Sequence, residues 1–146
     1  LLFHCRKAVE LEPSHNVDHK NYADALFSLE DTEQIKTELT RLMNQYPQYP
    51  THDIYRSRLG VLAFNQGNLE EAKRIFEEIG TKYYENKERL DLRHTHRETC
   101  RYLAQLSYEK EDFSSAARYY ADYYQDTLPE KSDEAYRYIN SLVETE

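Results

Sequence analysis

Two apolar helical segments of the chain end at a proline, and the two prolines lie 34 positions apart. The segment KAVELEP ends at Pro13, and RLMNQYP ends at Pro47. Self-similarity with a period of about 20–50 residues is typical of repeat architectures, in which a small supersecondary unit is stacked several times. The period therefore restricts the fold strongly, because each unit is short and must bury its apolar face against a neighbour.

A helical hairpin is predicted around GVLAFNQGNLEEAKRIF, residues 60–76. Apolar residues at helical spacing flank a short polar turn, with Leu59, Leu62, Ala63 and Phe64 before it and Leu69, Ala72, Ile75 and Phe76 after it. The turn contains Gly67 and Asn68, which are residue types that end one helix and begin the next. The pattern predicts two short helices folded back on each other.

Small residues and a short turn recur at matching places along the chain. The sets are Leu59-Gly60, Gly67-Asn68-Leu69, Ala72 and Phe76; then Leu103-Ala104, Glu111-Asp112-Phe113, Ala116 and Tyr120; and more weakly Tyr22-Ala23, Glu30-Asp31-Thr32, Ile35 and Leu39. This pattern resembles the tetratricopeptide repeat, in which small residues lie where the two helices cross. Because Ile35 replaces the usual alanine, we expect the helices of the first repeat to cross less closely than those of the second.

The resemblance implies an all-α fold, a right-handed α-solenoid of antiparallel helix pairs with about three repeats and flanking helices. Residues 1–12 correspond to a half repeat, residues 16–49, 53–86 and 97–130 to full repeats, and 132–144 to a closing helix, all in a single domain over 1–146. The insertion KERLDLRHTH predicts a lengthened first helix in the third repeat, with Asp91 as its N-cap. Because the chain begins without Met in helical periodicity, we expect it to be a fragment of a longer protein.

Composition argues against several other classes. Only 3 Gly and 4 Pro occur in 146 residues, which are too few turn-forming residues for a many-stranded β protein. The net charge of -8 repels phosphate backbones and anionic lipid headgroups, so we expect neither nucleic acid nor a membrane as a partner. Cys5 and Cys100 are far apart and do not resemble a disulfide framework, which favours a reducing, cytoplasmic compartment.

Function in such a stack is expected on the concave surface that the first helices line. The family's groove positions correspond here to Val17, Lys20, Asp24, Phe27, Ile54, Ser57, Val61, Phe64, Glu98, Arg101, Gln105 and Tyr108, with Arg58 at the flank. Three of these, Phe27, Phe64 and Tyr108, form an aromatic ladder if they face the groove, and otherwise pack between helices. The apolar strip with its flanking cations predicts a protein-interaction module or scaffold that binds a peptide with apolar anchors and a carboxylate.

Tyrosine is abundant, at 14 of 146 residues, and clusters in RYYADYYQD, residues 118–126. On a helix, Tyr120, Tyr123 and Tyr124 share a face, and Tyr119 lies partly around from them. Either one set is core while the others cover the convex side or the next helix, or the cluster is a partner surface. The rival function is therefore a structural spacer or assembly segment that contacts partners through its ends and its convex tyrosine-rich face.

The terminal helices are a second candidate for contacts between proteins. If residues 1–12 are half of a repeat, then Leu1, Leu2, Cys5 and Val9 include apolar surface that suits another helix. We therefore expect the isolated chain to self-associate through its terminal helices, or to gain stability when it is extended N-terminally by one hairpin.

The segment RHTHRETCR, residues 93–101, is the one candidate metal cluster in the sequence. His96 and Cys100 are four residues apart on a helix and can share a soft divalent ion, whereas His94 points elsewhere. Two ligands do not close a structural zinc site, so the sequence predicts no metal site and no cofactor. Nucleophile elbows, phosphate loops and zinc-protease motifs are absent from the sequence, so we expect no catalytic residues and no enzyme activity.

Overall fold

The structure, a computed structural model, describes residues 1–48, 50–125 and 132–145. All regular secondary structure in these residues is helical: α1 (Leu2–Leu11), α2 (Asn16–Leu26), α3 (Thr32–Gln45), α4 (Thr51–Asn65), α5 (Leu69–Glu85), α6 (Leu90–Glu109), α7 (Phe113–Tyr124) and α8 (Ser132–Glu144). The predicted all-α class is confirmed, and the handedness of the repeat stack stays a prediction. The predicted ends of the first and third repeats, Tyr49 and Glu130, lie outside the described residues.

The chain divides into two compact units, Leu1–Ile75 and Phe76–Glu146. The division lies inside α5, which contributes its first part to one unit and its second part to the other. In a stack of repeats each repeat contacts only its neighbours, so a single repeat domain would also divide into groups of adjacent helices. The division into two units therefore does not test the predicted single domain over 1–146, which stays a prediction.

The core of the first unit is built where α1 packs against α2, α3 against α4, and α2 against α4. Its buried residues are Val9, Tyr22, Ala23, Leu26, Ile35, Leu39, Leu42, Tyr55 and Leu62. On α1, Val9 is buried and Leu2 and Cys5 pack partly against this core, while Leu1 and Phe3 are exposed. Some of the apolar residues predicted on α1 thus pack in the core, and the others are exposed to solvent.

A buried histidine joins three parts of the first unit. His19 of α2 has its Nε2 2.7 Å from the carbonyl oxygen of Pro13 and its Nδ1 2.6 Å from the hydroxyl of Tyr55 on α4. A carbonyl oxygen can only accept, so Nε2 carries the proton, and Nδ1 accepts a hydrogen bond from the Tyr55 hydroxyl. Burial lowers the pKa of His19, which keeps the ring in this neutral form near pH 7.

The lowered pKa of His19 predicts that the protein loses stability as the pH falls below the ordinary histidine value of 6.5. In that range the unfolded chain binds a proton at residue 19 that the folded chain does not, although the hydrogen bond to the Pro13 carbonyl and the nearby Asp18 carboxylate partly oppose the effect. We expect the free energy of unfolding in urea to fall between about pH 8 and about pH 5.5. We expect a smaller fall in His19→Gln than in the wild type. Equal pH dependence in the two proteins would contradict the prediction.

The second unit has a tyrosine-rich core, in which α7 packs against both α6 and α8. One cluster contains the buried Ala104, Ala116, Tyr120 and Tyr124, with Tyr108, Tyr119, Tyr123 and Tyr138 packed against it. The rings of Tyr120 and Tyr138 stack at a centroid distance of 5.7 Å. Two of the four tyrosines in the predicted cluster are therefore core residues, and Tyr119 and Tyr123 are half-buried.

Helix α6 has 20 residues, so the predicted lengthening of this helix is confirmed. The prediction of Asp91 as its N-cap is wrong, because the N-cap is Arg89 and its carbonyl oxygen accepts the Arg93 N–H at 3.1 Å. The earlier start adds Leu90 and Asp91 to the helix, and Leu90 is exposed, so the start is not explained by burial of an apolar side chain.

Two of the hairpin turns share one backbone geometry. In the turn after α4, Asn68 N–H bonds to Ala63 O at 2.9 Å, and Gly67 has a φ of 79°. In the turn after α6, Asp112 N–H bonds to Ser107 O at 2.9 Å, and Glu111 has a φ of 59°. This is the Schellman helix end, which favours glycine at the left-handed position. Glu111 therefore occupies a backbone conformation that costs an L-residue about 1–2 kcal/mol.

Glu111→Gly is expected to raise the free energy of unfolding by about 1 kcal/mol, because glycine adopts the left-handed conformation without a steric penalty. Gly67→Ala should lower it by about the same amount. The added Cβ at Gly67 meets no atom within 4 Å, so a loss there reports the backbone alone. Urea unfolding of the two variants tests the pair, and changes of the same sign would exclude this account of the turns.

Candidate partner-binding site

Five of the predicted groove residues lie on one surface of the first unit. Helices α2 and α4 pack together, and the Arg58 Nε donates a hydrogen bond to Asp24 Oδ1 at 2.7 Å, which joins the two helices. Positions three, four and seven apart share a helix face, so Val17 and Lys20 lie beside Asp24 on α2, and Val61 lies beside Arg58 on α4. We call these five residues the α2–α4 strip.

The strip has two cations around one carboxylate. Lys20 Nζ is 3.4 Å from Asp24 Oδ2, and both side chains are partly exposed, at 37% and 47%. Arg58 is different, since its side chain is only 11% exposed and also donates to the Ser57 hydroxyl oxygen at 3.3 Å. Exposed ion pairs contribute little to stability, so Lys20 can exchange Asp24 for another carboxylate at small cost. Arg58 is the fixed charge of the strip, and Lys20 is the accessible one.

Other predicted groove residues on α2 and α4 contribute mainly to packing. Phe27 and Ile54 are half-buried and pack against the core of the first unit, and Phe64 is also half-buried. Ser57 is 2% exposed, and its hydroxyl donates to the Ile54 carbonyl oxygen at 2.7 Å. Ser57 therefore offers a partner almost no surface.

The predicted groove residues of α6 are engaged by side chains of the second unit. Arg101 pairs with Glu134 of α8, and its guanidinium lies over the Tyr123 ring. Tyr108 accepts a hydrogen bond from Asn140 at 3.1 Å, and Gln105 donates to Glu109 at 3.2 Å.

Glu134 was not singled out in the sequence, yet it is central to this arrangement. It accepts from both Arg101 and the Tyr124 hydroxyl, and its side chain is only 15% exposed. Its partners lie 33 and 10 positions away, and helical periodicity does not indicate contacts at such separations.

A cavity of about 670 Å³ lies elsewhere in the first unit, among α1, α2 and α3. Its apolar lining includes Leu2, Phe3 and Leu26, and its charged lining residues are Arg6, Asp31, Glu33 and Glu38. None of the predicted groove residues contributes to it.

In the second unit, His96 and Cys100 of α6 meet Asp122 of α7. One possible ligand atom from each lies within 4.8 Å of the other two, and the Cys100 Sγ is 3.4 Å from His96 Nε2. Burial lowers the pKa of His96 and raises that of the Cys100 thiol, so both side chains are neutral near pH 7. The Tyr84 hydroxyl donates to Asp122 Oδ2 at 2.8 Å.

Asp122 was missed in the sequence because it lies on a different helix from His96 and Cys100. A signal was nevertheless present. If the two antiparallel helices cross at Ala104 and Ala116, residues at equal sequence distances from the crossing point lie opposite each other. Residue 122 follows Ala116 by six positions, so it lies opposite residue 98, between His96 and Cys100. The turn geometry thus identifies the third member of the cluster.

Residues 57–83 match the family model described as a tetratricopeptide repeat. The segment 57–83 is thus similar to a tetratricopeptide repeat. The predicted resemblance is confirmed on this hairpin, which runs from Ser57 in α4 to Tyr83 in α5. No curated protein and no solved structure matches the chain. The repeat indicates, in general terms, a protein-interaction module with protein partners, and repeats of this family are generally not enzymes.

Among the described residues, no helix combines the length and the apolar character that spanning a bilayer requires.

Proposed function

We propose that the chain is a protein-interaction module whose first unit captures an extended or helical peptide on the α2–α4 strip, with a carboxylate of the peptide at Lys20. The observation that supports this most is the Arg58–Asp24 hydrogen bond of 2.7 Å. It fixes α2 against α4 and leaves Lys20 beside it with a weak, exposed partner. Val17 is exposed and Val61 half-buried, so both offer apolar contacts next to this charge.

Charge argues for an acidic ligand. The chain carries a net charge of -8, so an acidic peptide is repelled by most of its surface. The α2–α4 strip has the opposite sign of charge, since it carries two cations, Lys20 and Arg58, and one carboxylate, Asp24. A peptide carboxylate is therefore attracted to this place in preference to the rest of the molecule, and complementary charge of this kind contributes mainly to specificity and to the association rate.

The α6 residues Arg101, Gln105 and Tyr108 belong to the proposal as a separate face of the second unit. Arg101 is the one cation among them, and its side chain is 39% exposed even with Glu134 paired to it. We assign it a weaker role than Lys20, because a ligand carboxylate would have to share its guanidinium with Glu134.

The rival function is a spacer or assembly segment that contacts partners through the terminal helices and the tyrosine-rich face. Exposed apolar side chains lie on both terminal helices: Leu1, Phe3 and Leu11 on α1, and Tyr136, Ile139, Leu142 and Val143 on α8. On α8, positions 136, 139 and 143 share one helix face. A contiguous exposed apolar face is a common feature of protein contacts, and here it favours self-association or a spacer role.

Peptide selection with site-specific photocrosslinking distinguishes these functions. Peptides from a random display library are selected on the purified protein, and a photoreactive residue is then placed at Val61, Thr37, Tyr119 or Ile139 in turn. We expect the selected peptides to be rich in carboxylates and to crosslink at Val61 in the strip. Crosslinks at Thr37 would assign binding to the α1–α3 cavity. Crosslinks at Tyr119, or between two copies of the chain at Ile139, would favour the rival function, and each of these results would exclude the strip as the main site.

A further inference from the structure

We propose that His96, Cys100 and Asp122 form a binding site for one divalent transition metal ion, zinc being the best fit, with a fourth coordination position open to the adjoining cavity. The sequence alone supplied two ligands and predicted no metal site. The structure adds a third ligand from a second helix, and three protein ligands with one open position are the usual arrangement of a non-structural zinc site.

The distances within the cluster are close to those of a metal site. Zinc bonds of about 2.3 Å to sulfur and about 2.0–2.1 Å to nitrogen place the two atoms about 3.6 Å apart in a tetrahedron. Cys100 Sγ and His96 Nε2 are 3.4 Å apart, and all three ligand atoms lie within 4.8 Å of one another. Sγ is also 3.9 Å from Nδ1, so it lies beside the ring. Coordination therefore requires a rotation of the imidazole and a closing movement of up to about 1.4 Å by the carboxylate.

The ligand types select the class of metal. Thiolate and imidazole favour zinc and its neighbours, whereas magnesium and calcium prefer sites made of oxygen atoms. On binding, the Cys100 S–H bond breaks, its proton passes to solvent, and the sulfur electron pair forms the bond to the metal. A thiolate and a carboxylate together then balance the two positive charges of the ion.

Neighbouring groups contact two of the ligands. The Tyr84 hydroxyl holds Asp122 Oδ2 at 2.8 Å, which leaves the second carboxylate oxygen for the ion. A hydrogen bond of this kind is the usual outer contact that orients a metal ligand. The Tyr83 ring stacks on the His96 ring at a centroid distance of 4.7 Å, and a Cβ at Gly80 would be 3.2 Å from His96 Cε1. These two contacts hold the imidazole beside Cys100 before it rotates to coordinate.

An entry path is present. A cavity of about 340 Å³ reaches His96 and Asp122, and Lys87, Arg93 and Arg97 also line it. A metal ion can therefore enter from solvent, and water or an anion can occupy the fourth position. The surrounding cations favour an anion at that position over a second cation.

Cobalt titration of the metal-free protein tests the site directly. We expect one Co²⁺ per chain, a thiolate-to-cobalt charge-transfer band, intense visible bands of four-coordinate cobalt, and displacement by Zn²⁺. Asp122→Asn keeps the size and the contact with Tyr84, and it should weaken Co²⁺ binding by about tenfold or more. Cys100→Ser should abolish the charge-transfer band. The matched controls Cys5→Ser and His94→Ala, which remove a thiol and an exposed histidine outside the cluster, should bind as the wild type does.

Either of two results with Co²⁺ would overturn the site. One is a wild type that shows no charge-transfer band on saturation with Co²⁺, which would mean that the Cys100–His96 contact only supports the fold. The other is a band that persists in Cys100→Ser. Should that variant fail to fold by circular dichroism, Zn²⁺ should still raise the melting temperature of the wild type and raise that of Asp122→Asn less, since binding to the folded state alone stabilises it. Equal shifts in both would also reject the site.

Discussion

His19→Ala is expected to lower the free energy of unfolding by about 3 kcal/mol or more, the largest effect that we predict for a single substitution. The imidazole is fully buried, so its loss leaves a cavity. It also leaves the buried Tyr55 hydroxyl without its hydrogen-bond partner, and an unsatisfied buried polar group costs about 1–3 kcal/mol. Urea unfolding at about pH 8, where the ring is neutral, measures the loss.

Tyr55→Phe separates the hydrogen bond from the cavity. It removes only the hydroxyl, so we expect a loss of about 1–2 kcal/mol from the unsatisfied Nδ1 of His19. In the double variant the two losses should be less than additive, because both remove the same contact. His15→Ala is the matched control, since its ring is exposed, and it should change stability by less than about 0.5 kcal/mol. A loss at His19 no larger than that of the control would exclude its structural role.

The helices could be predicted closely because they depend on local periodicity. The closing helix was predicted at 132–144 and is found at Ser132–Glu144, and the half repeat at 1–12 contains α1 at Leu2–Leu11. The turn at Glu111 was also placed correctly by analogy with Gly67, and both residues have a positive φ. A helix is indicated by the spacing of its own apolar residues, and its ends by capping residues within a few positions. Both signals are local, so helix bounds can be predicted from the sequence.

The polar contacts between helices could not be predicted in this way. His19 and Tyr55 are 36 positions apart, and Arg101 and Glu134 are 33 apart. Such pairs depend on the side-chain directions of two packed helices, which a pattern in one helix does not contain. Asp122 is the intermediate case, because the hairpin geometry brings it near His96 and Cys100 once the crossing point is assumed. The groove residues on α2 and α4 were predicted from the family pattern. Only the side-chain exposure in the structure shows which of them a partner could reach.

Lys20→Glu is expected to weaken binding of a selected acidic peptide by about tenfold or more, equivalent to about 1.4 kcal/mol. The substitution replaces the accessible cation of the strip by a second carboxylate beside Asp24, so a peptide carboxylate is repelled where it was attracted. Because Lys20 is exposed and its ion pair is weak, the fold should change little, and a loss of binding reports the site. Titration by fluorescence anisotropy at low and at physiological salt measures both the affinity and its salt dependence, which should decrease in the variant.

Lys36→Glu is the matched control for this experiment. It makes the same change of charge at an exposed position of α3, outside the strip, and therefore has the same effect on the net charge of the chain. If the peptide responds only to the overall charge, the two variants will lose affinity equally, and the strip is then not the site. Asp24→Asn provides a change of opposite sign, because it removes the carboxylate that competes for Lys20. We expect it to bind the acidic peptide several-fold more tightly, and weaker binding would show that the Arg58–Asp24 link, rather than the charge of Lys20, carries recognition.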